Sequence, residues 1–170
     1  VPNPCQMVFA TSALTRKEIA GPGVAPSVWT YSYFANPASF SADACYSAGT
    51  CAATKTVQVT SPTGDMTRYT YSNRWNETEG KLMKMESFQG SATLVRTETY
   101  TYANPTQGPF PYPLGSSFEG SSSNAIKNEV WTPMREQITT QQGRNFVMTV
   151  QSFDGRARPT SVTRSSSPIP

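Results

Sequence analysis

Polar and apolar positions alternate along most of this chain, and the alternation has a period of two. Val57 and Val59 are interleaved with Thr56, Gln58 and Thr60, the pattern of a half-buried strand. Ser61-Pro-Thr-Gly64 follows and is a turn by composition. Thr67 to Ser72 alternates again, with Tyr69 and Tyr71 on one face and Arg68, Thr70 and Ser72 on the other. Lys81 to Phe88 predicts a further strand in which Met83 and Met85 share a face, and Gln89-Gly-Ser91 turns the chain. Leu94 to Tyr102 places Thr97, Thr99 and Thr101 on one face and Glu98, Tyr100 and Tyr102 on the other.

Four prolines between Asn104 and Gly115 deny a sheet its amide donors and predict a break there. Strands are expected again over Ile126–Thr132, Arg135–Thr140, Asn145–Phe153 and Thr160–Arg164, with turns at Gln142-Gly143 and Asp154-Gly155. Residues 12–20 predict one short helix, limited by Pro22. Short turns between strands imply antiparallel pairing, because parallel strands need long crossovers. The expected fold is therefore all-β: one antiparallel, curved repeat sheet of about seven to ten strands. It forms a single domain over residues 1–170, with 1–50 the less typical part and 55–164 the repeating strands.

One internal repeat stands out. Tyr-x-Tyr followed by Asn occurs at Tyr31–Tyr33, Tyr69–Tyr71 and Tyr100–Tyr102. Spacing of this kind suggests one strand pair reused along a growing sheet, each unit needing its neighbour to bury its aromatic face. Two readings compete for Tyr69, Tyr71, Tyr100 and Tyr102: cross-strand aromatic pairs that hold the sheet, or a platform on which sugar rings stack. Trp75 belongs to the second reading, since Asn73-Arg-Trp-Asn-Glu77 surrounds it with polar residues.

Composition narrows the chemistry. Histidine is absent, which removes the imidazole base of Ser-His-Asp and Cys-His catalysis and the usual ligands of catalytic zinc. No nucleotide-binding glycine pattern, nucleophile elbow or calcium loop occurs, so neither cofactor nor metal is expected. Glu77 and Glu79 are the nearest approach to a carboxylate pair of the glycosidase kind, and beside Gly80 they read as polar loop. Asn76-Glu-Thr78 matches the glycosylation acceptor pattern. No apolar run is long enough to span a membrane.

The formal net charge is +3, with Arg144, Arg156, Arg158 and Arg164 set against Asp154 in the last thirty residues. That density suits a solvated basic sheet face, and a nucleic-acid partner is not expected. Cys45 and Cys51 flank a short turn containing Gly49, and their spacing allows a small disulfide loop. Such a bridge would place the protein in an oxidising compartment, leaving Cys5 free or bonded elsewhere; reduced buried thiols are the alternative. Val1 and the Ser165-Ser-Ser-Pro-Ile-Pro170 ending read as a piece of a longer chain.

Ser61-Pro-Thr-Gly-Asp-Met-Thr-Arg-Tyr-Thr-Tyr71 resembles the Pro-x-Gly-x-x-Thr-x-Tyr-x-Tyr pattern of RHS (YD-repeat) proteins, and Glu79-Gly-Lys-Leu82 is similar to the Gly-x-Leu that follows it. Phe153-Asp-Gly-Arg156 resembles the core of a YD repeat, with Phe in place of Tyr and a shortened spacer. The likeness spans roughly residues 55–104 and 134–164. It implies a secreted or surface-attached bacterial protein whose β-ribbon spirals into a shell around a toxin or other cargo. This stretch would be a non-enzymatic part of that wall, partnered by the rest of its polypeptide and the cargo. The alternative is a carbohydrate-binding β module using exposed aromatics. Open sheet edges predict edge-to-edge self-association.

Overall fold

The computed structural model describes residues 13–34, 52–73, 78, 80–108, 110 and 132–169. Nine strands form one sheet: β1 (Arg16–Gly21), β2 (Val24–Phe34), β3 (Thr54–Thr60), β4 (Met66–Ser72), β5 (Leu82–Gln89), β6 (Thr93–Tyr102), β7 (Met134–Gln141), β8 (Arg144–Phe153) and β9 (Pro159–Pro168). Strand order in space follows strand order in the chain, and every pairing is antiparallel. The only helical element among the described residues is a single 3₁₀ turn at Pro105–Gln107.

One expectation is overturned. The segment read as a short helix holds β1, a strand paired along its length with β2. The reason lies in Pro22-Gly23. Pro at the first central position and Gly23 at φ +75° fit a type II turn, which folds Val24 back against Gly21. Once the chain reverses there, Arg16–Ile19 gains ladder bonds from β2 that a two-turn helix could not match. The strand expected over residues 126–132 lies outside the described residues, apart from Thr132, which is not in a strand.

The two ends of the sheet differ. At one end the connections are tight: residues 22–23, 61–65, 90–92 and 142–143. Gln142 (φ +50°) and Gly143 (φ +70°) together make the left-handed pair of a type I′ hairpin turn. The Asp65 carboxylate accepts the Gly90 amide at 2.8 Å, tying the β3–β4 turn to the β5–β6 turn. At the other end, Ala103, Phe110 and Ala157 are buried together with Phe153 against them, and Phe110 meets Phe153 edge-on at 5.8 Å. Ser72, Asn73 and Thr132 are buried at the same end. Elsewhere, among the described residues, few apolar side chains are fully enclosed; Met66 and Val150 are the others.

Candidate functional site

Register places every strand residue on one of two faces. Tyr33, Val57, Tyr69, Met85, Glu98, Thr139, Phe146 and Ser166 form one continuous transverse row. Trp29, Tyr31, Val59, Tyr71, Tyr100, Tyr102 and Met148 lie on the same face by alternation. The opposite face is dominated by threonine: Thr56, Thr70, Thr97, Thr99, Thr140 and Thr149. The sheet therefore has an aromatic face and a threonine face.

The Tyr-x-Tyr repeat explains itself in this frame. It falls on β2, β4 and β6, so one repeat is one hairpin. The tyrosines are consequently not cross-strand partners of one another. Val57 separates Tyr33 from Tyr69, and Met85 follows Tyr69. The expected aromatic ladder is an alternation of aromatic and aliphatic rows, with ring stacking inside a strand: Tyr69 and Tyr71 lie 6.4 Å apart at 22°.

Each named tyrosine has its own setting. Tyr33 is 46% exposed, and its hydroxyl donates to the Leu14 carbonyl at 2.9 Å. Tyr69 and Tyr71 are half-buried, and burial raises the Tyr71 phenol above its usual range. The Tyr100 hydroxyl donates to Glu98 Oε2 at 2.6 Å; burial first, then that hydrogen bond, holds its phenol well above the usual tyrosine range. Tyr102 donates to the Leu82 carbonyl at 2.8 Å and is raised by burial. Lys81 Nζ lies 4.7 Å from the Tyr102 ring and donates to the Thr132 carbonyl at 2.6 Å; burial lowers its pKa to about 8. That contact ties the residue just before β5 to the end of the β6–β7 connection.

The described carboxylates are all engaged. Glu98, buried on the aromatic face, accepts from Tyr100, from Gln137 Nε2 at 2.7 Å and from Arg96 at 2.6 Å. Glu86 pairs with Lys84, Glu18 with Arg16, and Glu136 accepts from Thr149. Asp65 and Asp154 organise turns. Asp154 Oδ1 takes the Arg156 and Arg158 amides, both at 2.9 Å, and Oδ2 takes the Arg158 guanidinium. The Arg158 amide and side chain, more than any other contact, hold its carboxyl at about 2. Asp154 is the Asp of the YD-like Phe153-Asp-Gly-Arg156 segment; that segment's Arg156 gives it only a backbone amide, the side-chain partner is Arg158 beyond it, and what they build is a turn. Ala157 sits in it at φ +60°.

Two depressions open on the aromatic face. One, of about 510 Å³, is lined by Leu14, Tyr33, Lys55, Val57 and Tyr71. The other, of about 290 Å³, is lined by Gln137, Thr139, Phe146, Met148 and Arg164. Sequence reasoning named Tyr71 among these but missed Tyr33, Lys55 and Arg164. Parity puts Lys55 on the face of Val57 and Arg164 on that of Val162, but only the register across strands sets them beside Tyr71 and Met148.

Trp75, Cys5, Cys45, Cys51, Glu77 and Glu79 lie outside the described residues. No group of three or more potential metal ligands occurs among the described residues, and no helix among them is long and apolar enough to cross a membrane. No family model matches the chain, no curated protein matches it, and no solved structure matches it.

Proposed function

We propose that this chain is a structural β-repeat segment of a secreted or cell-surface bacterial protein of the RHS type, a stretch of wall in a shell or stalk around a toxin or other cargo. The observation that carries the reading is the identity of chain order and sheet order, with one hairpin per Tyr-x-Tyr repeat. A sheet built this way lengthens by adding hairpins and never needs to close. Turn chemistry supports the same reading: Asp65 and Asp154 are spent on fixing hairpin connections.

The two described edges are unequal. β1 has six residues, a bulge between Ile19 and Gly21, and three consecutive charges, all of which blunt an edge. β9 has ten exposed residues with Arg164 its single charge and prolines only at its ends. It is a template for another strand, which suits a wall that continues. Sedimentation velocity over a range of protein concentration tests this. Concentration-dependent association that Val162→Lys abolishes supports the wall reading. A single monomeric species throughout, identical in the variant, overturns it.

The exposure of Tyr33 and Phe146, both 46%, favours a second reading, a carbohydrate-binding β module. Its test is saturable binding of oligosaccharides that is weakened by Tyr33→Ala.

A further inference from the structure

Charge is distributed unevenly between the two faces. On the threonine face Arg16, Arg68 and Lys84 are matched by Glu18, Glu86 and Glu136. Four of those charges meet in the pairs Arg16–Glu18 and Lys84–Glu86, and the paired strand residues of that face carry no net charge among the described residues. Among the ladder-paired residues, the aromatic face carries Lys17, Lys55, Arg96, Arg144 and Arg164, opposed only by Glu98; Arg135 stands at the β7 irregularity beside Tyr102 and pairs with no residue across the ladder. The ladder cations in excess sit with the tyrosines.

Three of the five cations have local partners. Lys17 lies 5.0 Å from the Trp29 ring, Arg96 pairs with Glu98, and Arg144 donates to Ser166. Lys55 and Arg164 have no hydrogen-bonding or ionic partner among the described residues. Each lines one of the two depressions, in company with an aromatic ring: Tyr33 and Tyr71 beside Lys55, Phe146 beside Arg164. The same combination of a ring and an uncompensated cation thus occurs twice on one face.

We infer that the aromatic face binds an acidic polysaccharide laid across the strands, with sugar rings against Tyr33, Tyr71 and Phe146 and carboxylate or sulfate groups on Lys55 and Arg164. Aromatic faces pack against the apolar faces of sugar rings, and a cation beside the ring selects an anionic sugar over a neutral one. Spacing favours this polymer over nucleic acid. The cations stand on β1, β3, β6, β8 and β9. At a strand separation of about 4.8 Å, the first four are roughly 10–14 Å apart. A nucleic-acid strand carries a phosphate about every 3.4 Å in the duplex, so most of its charge would be left unmatched. A polysaccharide with a charge on only some of its sugars is the sparser match.

This inference rests on the carbohydrate-binding reading, so the experiment separates the two. Calorimetric titrations compare an oligogalacturonate, a neutral gluco-oligosaccharide of equal length and oligothymidylate. They use the wild-type chain, the Lys55→Gln/Arg164→Gln double variant and Lys84→Gln on the opposite face. Gln keeps much of each stem, and circular dichroism confirms that the variants fold. The expected result is oligogalacturonate binding that weakens with salt, falls at least tenfold in the double variant and is unchanged in Lys84→Gln. Equal binding of neutral and acidic oligosaccharides, insensitive to the double variant, would overturn the charge inference and leave carbohydrate binding standing. Binding to none of the probes would overturn both. Tighter binding of oligothymidylate would replace the polysaccharide with a nucleic acid.

Discussion

Removing the Glu98 carboxylate should cost the sheet far more than removing any other strand acid. Its side chain is 6% exposed, yet it lies between Met85 and Thr139 on the aromatic face. What keeps it there is three donors, from Tyr100, Gln137 and Arg96. Hydrogen bonds to a charged acceptor contribute about 1.5–3 kcal/mol each net. The Arg96 contact is worth less, because that guanidinium is 43% exposed and water replaces its partner. Tyr100 and Gln137 are only half-buried, so part of their loss is also recovered by solvent. Glu98→Ala should therefore destabilise by about 2–4 kcal/mol. Glu86→Ala is the control: its contacts are Lys84 at 2.7 Å and a distant Arg68 at 3.8 Å, and it should lose less than about 1 kcal/mol. Urea unfolding followed by circular dichroism measures both. A second readout is the Tyr100 phenol, whose absorbance titration should move down toward the ordinary tyrosine value in Glu98→Gln. Equal losses in Glu98→Ala and Glu86→Ala, with the phenol unmoved, would refute the reasoning.

Alkali should unfold the chain earlier than its composition suggests. Tyr71, Tyr100 and Tyr102 all have folded pKa values raised above the unfolded value of 10.0, so the folded state holds their protons longer. The stability they support is fully present below pH 10 and is lost as pH rises beyond it; a melting temperature that stays flat to pH 12 would contradict this. The acid limb has the opposite sign. Asp154 has a folded value of about 2 against 3.8, so its contribution is present above pH 4 and lost as pH falls toward 2. Asp154→Asn should lower the melting temperature at neutral pH and flatten its fall between pH 4 and 2; parallel curves would count against the turn assignment. Gln142, at φ +50° in the β7–β8 turn, should welcome asparagine: Gln142→Asn is expected to gain about 0.5 kcal/mol in urea unfolding, and Gln142→Val to lose about 1 or more.

The strands were legible because alternation and turn chemistry agreed. Val57/Val59, Tyr69/Tyr71 and Thr97/Thr99/Thr101 lie on the faces that their parity assigns. Two features were not legible. Residues 12–20 read as a short helix limited by Pro22, and only the partner strand beyond Pro22-Gly23 decides their state. Met83 and Met85 read as one face from parity alone; what parity does not show is that the ladder slips between Thr70 and Tyr71, so Met83 has no residue opposite it on β4. The candidate site was half visible. Tyr-x-Tyr marked the aromatic face, whereas Lys55 and Arg164 belong to it through pairings with Tyr71 and Met148 across strands. Such pairings come from register, which no single segment contains.

The account turns on β9 being an edge made to receive another strand. Amide hydrogen exchange across β9, at low and high protein concentration, reads that directly. The account predicts that alternate amides between Thr160 and Ser167 gain protection as concentration rises, while β4 to β6 stay as they were. Fast exchange of those amides at every concentration would contradict it.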